Sequence, residues 1–303
     1  MHPERLLSVA HCPSPSPSPS HPPLPSPWLL LLPFARSRST AALAAVLGLA
    51  APAWGAQPLW ELGLGVGLLH LPHYRGSDQN RDWLLPIPYF AYRGDFFSAD
   101  RDGAHARLLD TRTLDLDLSA DVSTPVRSHD NRARAGLPDL APTLEIGPSA
   151  NVRLGSFAGG RLDLKLPLRA AVGITASPRL IGWRAAPVLS WAGNWAGWDV
   201  NLQGGPVAGD RAYHAYFYDV PLADAQAARP AYRAPGGAAG WTFTTTTSRR
   251  LGKLWLAAYV QSDSLSGAVF RSSPLVKQGH NLSFGLGVSW VFAASSTQVD
   301  PKP

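Results

Sequence analysis

The sequence predicts an all-β fold: a transmembrane, antiparallel, up-and-down β-barrel of about twelve strands. Three observations predict it. In 114–122 (LDLDLSADV), Leu114, Leu116, Leu118, Ala120 and Val122 alternate strictly with Asp115, Asp117, Ser119 and Asp121. Side chains alternate faces along a strand, so one face is apolar and the other acidic. The pattern returns in 162–168, where four Leu oppose Asp163, Lys165 and Pro167, and in 144–154, with Glu145, Asn151 and Arg153 on the polar face. Long strands with bare Leu outside and charges inside suit a barrel in lipid with a wet interior.

Taken in order, the strands are expected at 60–71, 83–92, 96–99, 104–109, 114–123, 143–154, 161–174, 182–193, 198–208, 241–250, 253–263 and 281–292. In the first, Leu62, Leu64, Val66 and Leu68 face outward and Gly63, Gly65 and Gly67 inward. The connections test the division. Short ones (94–95, 110–113, 155–160, 194–197, 251–252) alternate with longer ones (72–82, 124–142, 175–181, 209–240, 264–280), as periplasmic turns alternate with external loops. The tight turn at 100–103 falls on the long-loop side. Nine of the eleven Trp follow residue 56. Trp60, Trp83, Trp195, Trp198, Trp241 and Trp290 stand near strand ends, where amphipathic rings form interfacial girdles.

The last strand places Gly285, Val288, Trp290 and Phe292 in the polar–x–Gly–x–x–apolar–x–apolar order. Bacterial barrels present their last strand to the barrel-assembly machinery in this form. The remainder, 293–303, is expected to be a flexible periplasmic tail.

The chain carries 27 Lys+Arg against 21 Asp+Glu, and 24 against 20 after residue 56. So small and dispersed an excess gives no nucleic-acid partner. No later segment offers the ~18 apolar residues of a spanning helix. Cys12, a single cysteine, excludes a disulfide framework and a thiolate metal cluster. Residues 36–56 read as a Sec signal peptide, with Arg36 and Arg38 before an apolar run that ends at small residues. Residues 1–35 are a Pro/Ser-rich low-complexity extension, read as an over-long start. The mature protein is therefore expected in the Gram-negative outer membrane, embedded in lipid.

Candidate chemistry is sparse. Gly63-x-Gly65-x-Gly67 lacks the spacing and the strand-to-helix turn of a dinucleotide loop. His70 and His73 flank Pro72 without a carboxylate trio, which makes them a loop-lining pair rather than a metal site. Asp115, Asp117, Asp121, Glu145 and Asp163 stand against Arg153, Lys165, Arg169 and Arg107 at inward positions, and opposite charges across neighbouring strands satisfy one another and set the field of a lumen. No nucleophile elbow is present. No catalytic residue, cofactor or metal is expected. In 211–221 (RAYHAYFYDVP), Tyr213, Tyr216, Phe217 and Tyr218 either fold inward or form an exposed sticky surface, and packing over the barrel mouth is preferred.

The segments GLGVGLLHLPHYRGSD (63–78), LPIPYFAYRGDFF (85–97), RDGAHARLL (101–109), RARAGLPDLAPTLEIGPSANVRL (132–154) and YFYDVP (216–221) resemble the MipA/OmpV family of outer-membrane proteins. Leu137 stands where many relatives have Met. The resemblance implies a non-enzymatic scaffold for murein-remodelling enzymes, with a lytic murein transglycosylase and a penicillin-binding synthase as partners. It carries over no catalytic residue. The alternatives are a narrow porin-like channel for small solutes and an adhesin acting through 209–240.

Overall fold

The computed structural model describes residues 57–93, 97–100, 103–111 and 113–299. The signal-peptide and extension readings (1–56) and the turn at 94–95 lie outside these residues. The strands are β1 (Gln57–Pro58), β2 (Trp60–Pro72), β3 (Asn80–Arg93), β4 (Phe97–Asp100), β5 (Gly103–Asp110), β6 (Leu114–Val122), β7 (Thr143–Phe157), β8 (Gly160–Gly173), β9 (Arg179–Ala185), β10 (Val188–Trp195), β11 (Trp198–Gly209), β12 (Gly237–Leu251), β13 (Leu254–Ser264), β14 (His280–Ala294) and β15 (Gln298–Val299). One helix, α1 (Arg211–Tyr218), follows β11.

Strands β2 to β14 form one antiparallel sheet that closes on itself, with β14 against β2 and β8 against both β9 and β10. Closure pairs the last strand with the first, as lipid demands where an unsatisfied backbone group is expensive; among the described residues the β4 edge of β3 is laddered only at Tyr92–Ala99 and Arg93–Ser98. β9 and β10 are one strand interrupted at Ala186-Pro187. Lys165 faces Val188 and Leu168 faces Ala185 without any change of register across the gap. Pro167 and Pro187 lack N–H groups, so two ladder bonds cannot form there. With that pair counted once, twelve strands of the described residues make the wall. The expected strand at 182–193 is this interrupted one.

The inside–outside parity matches the sequence reading. Leu64, Val66 and Leu68 are 53–58 % exposed on the outer face, while Gly63 and Gly67 are buried inside. On β6, Asp117 and Ser119 are buried inside and Leu118 is exposed outside. The inward glycines make room for large side chains. A Cβ at Gly63 would stand 2.7 Å from the Trp290 carbonyl, and one at Gly67 would overlap Ile87. Above this floor the rings of Tyr89 and Trp255 approach to 5.2 Å from β3 and β13.

Exposed aromatics mark both rims. Phe90, Phe157, Trp195, Trp290 and Phe292 lie toward one end, and Trp183, Trp241, Phe243 and Phe284 toward the other. Trp83 departs from the expected girdle. It lies on the inward parity of β3, half-buried, with the Arg81 guanidinium 4.6 Å over its ring.

Two hairpins at the short-turn end run Phe157 to Gly160 and Trp195 to Trp198. Their central residues all have positive φ: Ala158 49°, Gly159 76°, Ala196 51° and Gly197 79°. Positive φ at both central positions is the type I′ pattern, which matches strand twist. The tight β4–β5 connection is confirmed by the Asp100–Gly103 pair. After Phe292, Ala293 and Ala294 continue β14, and β15 pairs with β1 in a two-stranded ladder separate from the wall. Leu59 N–H donates to the Thr297 carbonyl at 2.9 Å. This revises the expectation of a free tail as far as Val299.

Candidate functional site

The long connections at 73–79, 123–142, 209–237 and 265–279 do not project freely; they fold into a cap with its own core. Tyr74, Val126, Leu140, Val207, Tyr218, Leu265 and Phe270 are buried together there. Burial of such side chains stabilises by about 1.5–3 kcal/mol each.

Helix α1 occupies the mouth. The Asp210 carboxylate caps it, accepting from Tyr213 N–H at 2.7 Å, and the helix ends where Asp219 N–H donates to the Ala215 carbonyl. The helix lies against the inner face of β9, where a Cβ on Gly182 would strike Asp210 and the Tyr213 backbone. Four loop residues singled out from sequence sit here, and all fold inward. Tyr218 stacks on Phe270 with centroids 3.8 Å apart and donates to the Arg75 carbonyl at 2.9 Å. Tyr213 and Phe217 meet at 5.2 Å, Phe217 and Tyr216 at 5.0 Å. Tyr216 donates to the Ala141 carbonyl. Burial raises the phenol pKa of Tyr213, Tyr216 and Tyr218, so each stays a donor at neutral pH.

Beneath the helix the charged side chains of the wall form a chain of pairs. Glu145 is buried and accepts from Arg184 at 3.0 Å and from Tyr213 at 2.8 Å. Arg184 also stands 3.8 Å from Asp121, which Arg169 approaches to 3.4 Å while its Nε donates to Ser119. Six side chains from β6, β7, β8, β9 and α1 are thereby linked. Lower down, Asn151 donates to Asp117 at 3.0 Å, and Arg161 pairs with Asp163 at 2.8 Å. Asp115, half-buried, shares the Asp117 face. Lys165 and Arg153 line the same interior without a salt bridge among the described residues, and Arg153 is exposed. Cross-strand pairing therefore accounts for part of the expected set.

The sequence reading missed a second cluster, at the short-turn end. Glu61 is 7 % exposed and is met by Arg93 at 2.9 Å, Arg250 at 3.0 Å and the Tyr89 hydroxyl at 3.3 Å. Its signal was available: Glu61 shares the inward parity of Gly63 and Gly65. At the long-loop end, Arg75 reaches Asp263 at 3.5 Å.

His70 and His73 diverge. His70 meets Asp82 at 2.6 Å and stacks on Phe284, whereas His73 Nδ1 accepts from Asn131 at 3.0 Å inside the cap. Asn131 also donates to Ser77, and Asn281 ties Gly76 and Ser77 to β14. His214 is fully buried, with Nδ1 2.8 Å from the Pro235 carbonyl and its ring against Phe270. Burial lowers the pKa of both His73 and His214, keeping them neutral. Within the mouth a cavity of about 230 Å³ remains between Tyr213, His214, Arg184 and Asp263.

Of the last-strand residues, Gly285 faces inward under the Tyr259 ring, while Val288, Trp290 and Phe292 point outward. Trp290 and Phe292 pack edge-on at 6.1 Å.

An apolar outer wall, a polar paired interior and a capped mouth define an outer-membrane β-barrel protein. The chain belongs to the MipA family, described as MltA-interacting protein MipA, whose model matches residues 64–292. No curated protein matches the sequence. Among solved structures, an active-site mutant of outer membrane phospholipase A from Escherichia coli is 12 % identical, with 82 % of this chain and 96 % of that chain covered and a TM-score of 0.31. The Salmonella typhi outer membrane phospholipase dimer with bound calcium is 12 % identical over 82 % and 96 %, TM-score 0.32. An outer membrane channel from Pseudomonas putida F1 is 13 % identical over 81 % and 100 %, TM-score 0.35.

Proposed function

We propose that this protein is a non-enzymatic, electrically silent platform of the outer membrane. In this reading its periplasmic end docks murein-remodelling enzymes, a lytic transglycosylase and a penicillin-binding synthase. The cap carries the reading. Helix α1 and four loops fill the outer mouth with a buried aromatic core, and Tyr213 locks that core onto Glu145 of the wall. A filled mouth is what a barrel used as a platform needs, and it works against a solute path. The adhesin alternative requires exposed rings in 209–240, and Tyr218 is 3 % exposed. The end bearing the short turns and the β1–β15 ladder is the periplasmic one by the loop-length rule. Docking there also agrees with the description of the family as interacting with MltA. Residues 36–56 serve as the export signal and are removed.

The test uses refolded residues 57–303. In a planar bilayer the barrel is expected to stay silent, and on a sensor surface it is expected to capture purified lytic transglycosylase saturably. Recutting the Ala158-Gly159 and Ala196-Gly197 turns to unrelated two-residue turns should abolish capture. Stable ion-selective steps, lost when Asp117 and Lys165 are charge-reversed together, would replace the platform with the channel.

A further inference from the structure

The outer surface of the cap holds a feature that neither mouth closure nor periplasmic docking requires. A cavity of about 260 Å³ opens there, lined by Arg132, Arg229, Lys277, Gln226 and Asp78. Arg229 sits in a tight reversal in which its backbone and that of Gln226 exchange two hydrogen bonds of 2.9 Å. Its Nη1 donates to the carbonyls of Ala133 (3.2 Å) and Ala135 (2.7 Å), and Nη2 to that of Asp224 (3.1 Å). The residue is 7 % exposed, its Nε has no partner, and no carboxylate pairs with it among the described residues. Carbonyl dipoles solvate a buried cation but do not neutralise it, and uncompensated buried charge is costly.

Two more cations reach the same cavity from separate loops. Arg132 is held by its N–H on the Gln79 side-chain oxygen at 2.7 Å, and Lys277 by its N–H on the Gly76 carbonyl at 2.7 Å. Both side chains are exposed. A single carboxylate, Asp78, lies among them, 3.3 Å from Arg132. Three cations against one anion leave the cavity with a net charge of +2.

We propose that this cavity is an anion site for a phosphate group. Arg132 and Lys277 are its exposed arms, and Arg229 adds a buried, carboxylate-free charge to its wall. A guanidinium fork matches phosphate oxygens, and a lysine adds a point charge without geometric demand. The same chemistry is offered by free inorganic phosphate and by the phosphorylated headgroup of a glycolipid in the leaflet around the cap.

The experiment titrates the folded mature barrel in uncharged detergent, by calorimetry, with inorganic phosphate in one arm and lipid A in mixed micelles in the other. Saturable binding in either arm is expected. Lys277→Gln and Arg132→Gln, which alter exposed side chains, should each weaken it about tenfold, the loss of one charge-assisted contact. Arg233→Gln, an exposed cation of the cap outside the cavity, should not. Binding in the phosphate arm assigns the free ion, and binding in the lipid arm alone assigns the headgroup. No saturable binding in either arm overturns the site. So does equal weakening by Arg233→Gln, which would reduce the effect to the general charge of the cap.

Discussion

The Tyr213 hydroxyl donates a 2.8 Å hydrogen bond to Glu145 Oε1, joining the helix in the barrel mouth to the wall. The other carboxylate oxygen of Glu145 is held by Arg184 at 3.0 Å. The same carboxylate therefore anchors the plug and compensates a lumen cation.

Tyr213→Phe should cost about 1.5–3 kcal/mol, the range for a hydrogen bond to a charged group. Glu145→Gln should cost more, about 3–5 kcal/mol, because it strips Arg184 of a buried partner. The double variant should be less destabilised than the sum, since both changes act on one network. Urea titration in phospholipid vesicles, followed by Trp fluorescence, measures all three.

Acid should loosen the cap before the barrel. His73 and His214 have pKa values lowered by burial, so the opened cap binds more protons than the closed one. Cap stability therefore rises with pH and is lost as pH falls below the ordinary histidine value of about 6.5 toward the lowered ones. Protonation also removes the Nδ1 acceptor that His73 offers Asn131. Asp130 and Asp78 oppose the shift at His73 and Arg81 adds to it. At His214, Arg75 adds to it, while Asp210 and the Pro235 carbonyl oppose it. Amide exchange of 211–218 should accelerate from pH 7.5 to pH 5, after correction for the intrinsic pH dependence of exchange, while that of β13 and β14 stays slow. His73→Gln should flatten part of this response.

Filling the glycine floor should block folding more than trimming the lipid face. A Cβ at Gly65 would overlap Ser289 and the Val288 carbonyl. Gly65→Val should cost at least the ~1–3 kcal/mol typical of overpacking. Leu64→Ala, on the outward neighbour, leaves no internal void. The fraction of heat-modifiable folded barrel on cold gels should drop for the first variant and hold for the second.

Ala196 adopts φ 51° in a two-residue turn. A left-handed conformation costs a non-glycine residue roughly 1–2 kcal/mol. Ala196→Gly is expected to recover about half of that, the remainder being offset by the greater freedom of glycine in the unfolded chain. The urea midpoint should rise, with the slope unchanged.

Much of this was legible in the chain. Alternation in 114–122 and 162–168 assigned Asp117 and Asp163 to the inside and Leu118 and Leu166 to the outside, because successive side chains on a strand must point to opposite faces. The alternation of short and long connections tested the division into strands, and the tight 100–103 turn, on the long-loop side, stood against it, yet Asp100 pairs with Gly103. Trp83 was misplaced because proximity to a strand end does not reveal a side; its position opposite in parity to Leu84 does. The chain after Phe292 was misread because a two-residue ladder such as β1–β15 has no sequence period.

The amino-acid sequence by itself determined the barrel, its twelve-strand wall and which side chains face inward, since these follow from a two-residue period that every strand carries locally. Only the tertiary structure decided which inward charges meet. Arg250 of β12 reaches Glu61 of β2 past β13 and β14, a contact that exists only once the sheet closes. It also decided that Tyr213 and Tyr218 turn inward. No local pattern in 211–218 distinguishes a plug from an exposed surface. The choice depends on the inward space at Gly182, the Glu145 carboxylate and the ring of Phe270, supplied by three distant segments of the chain.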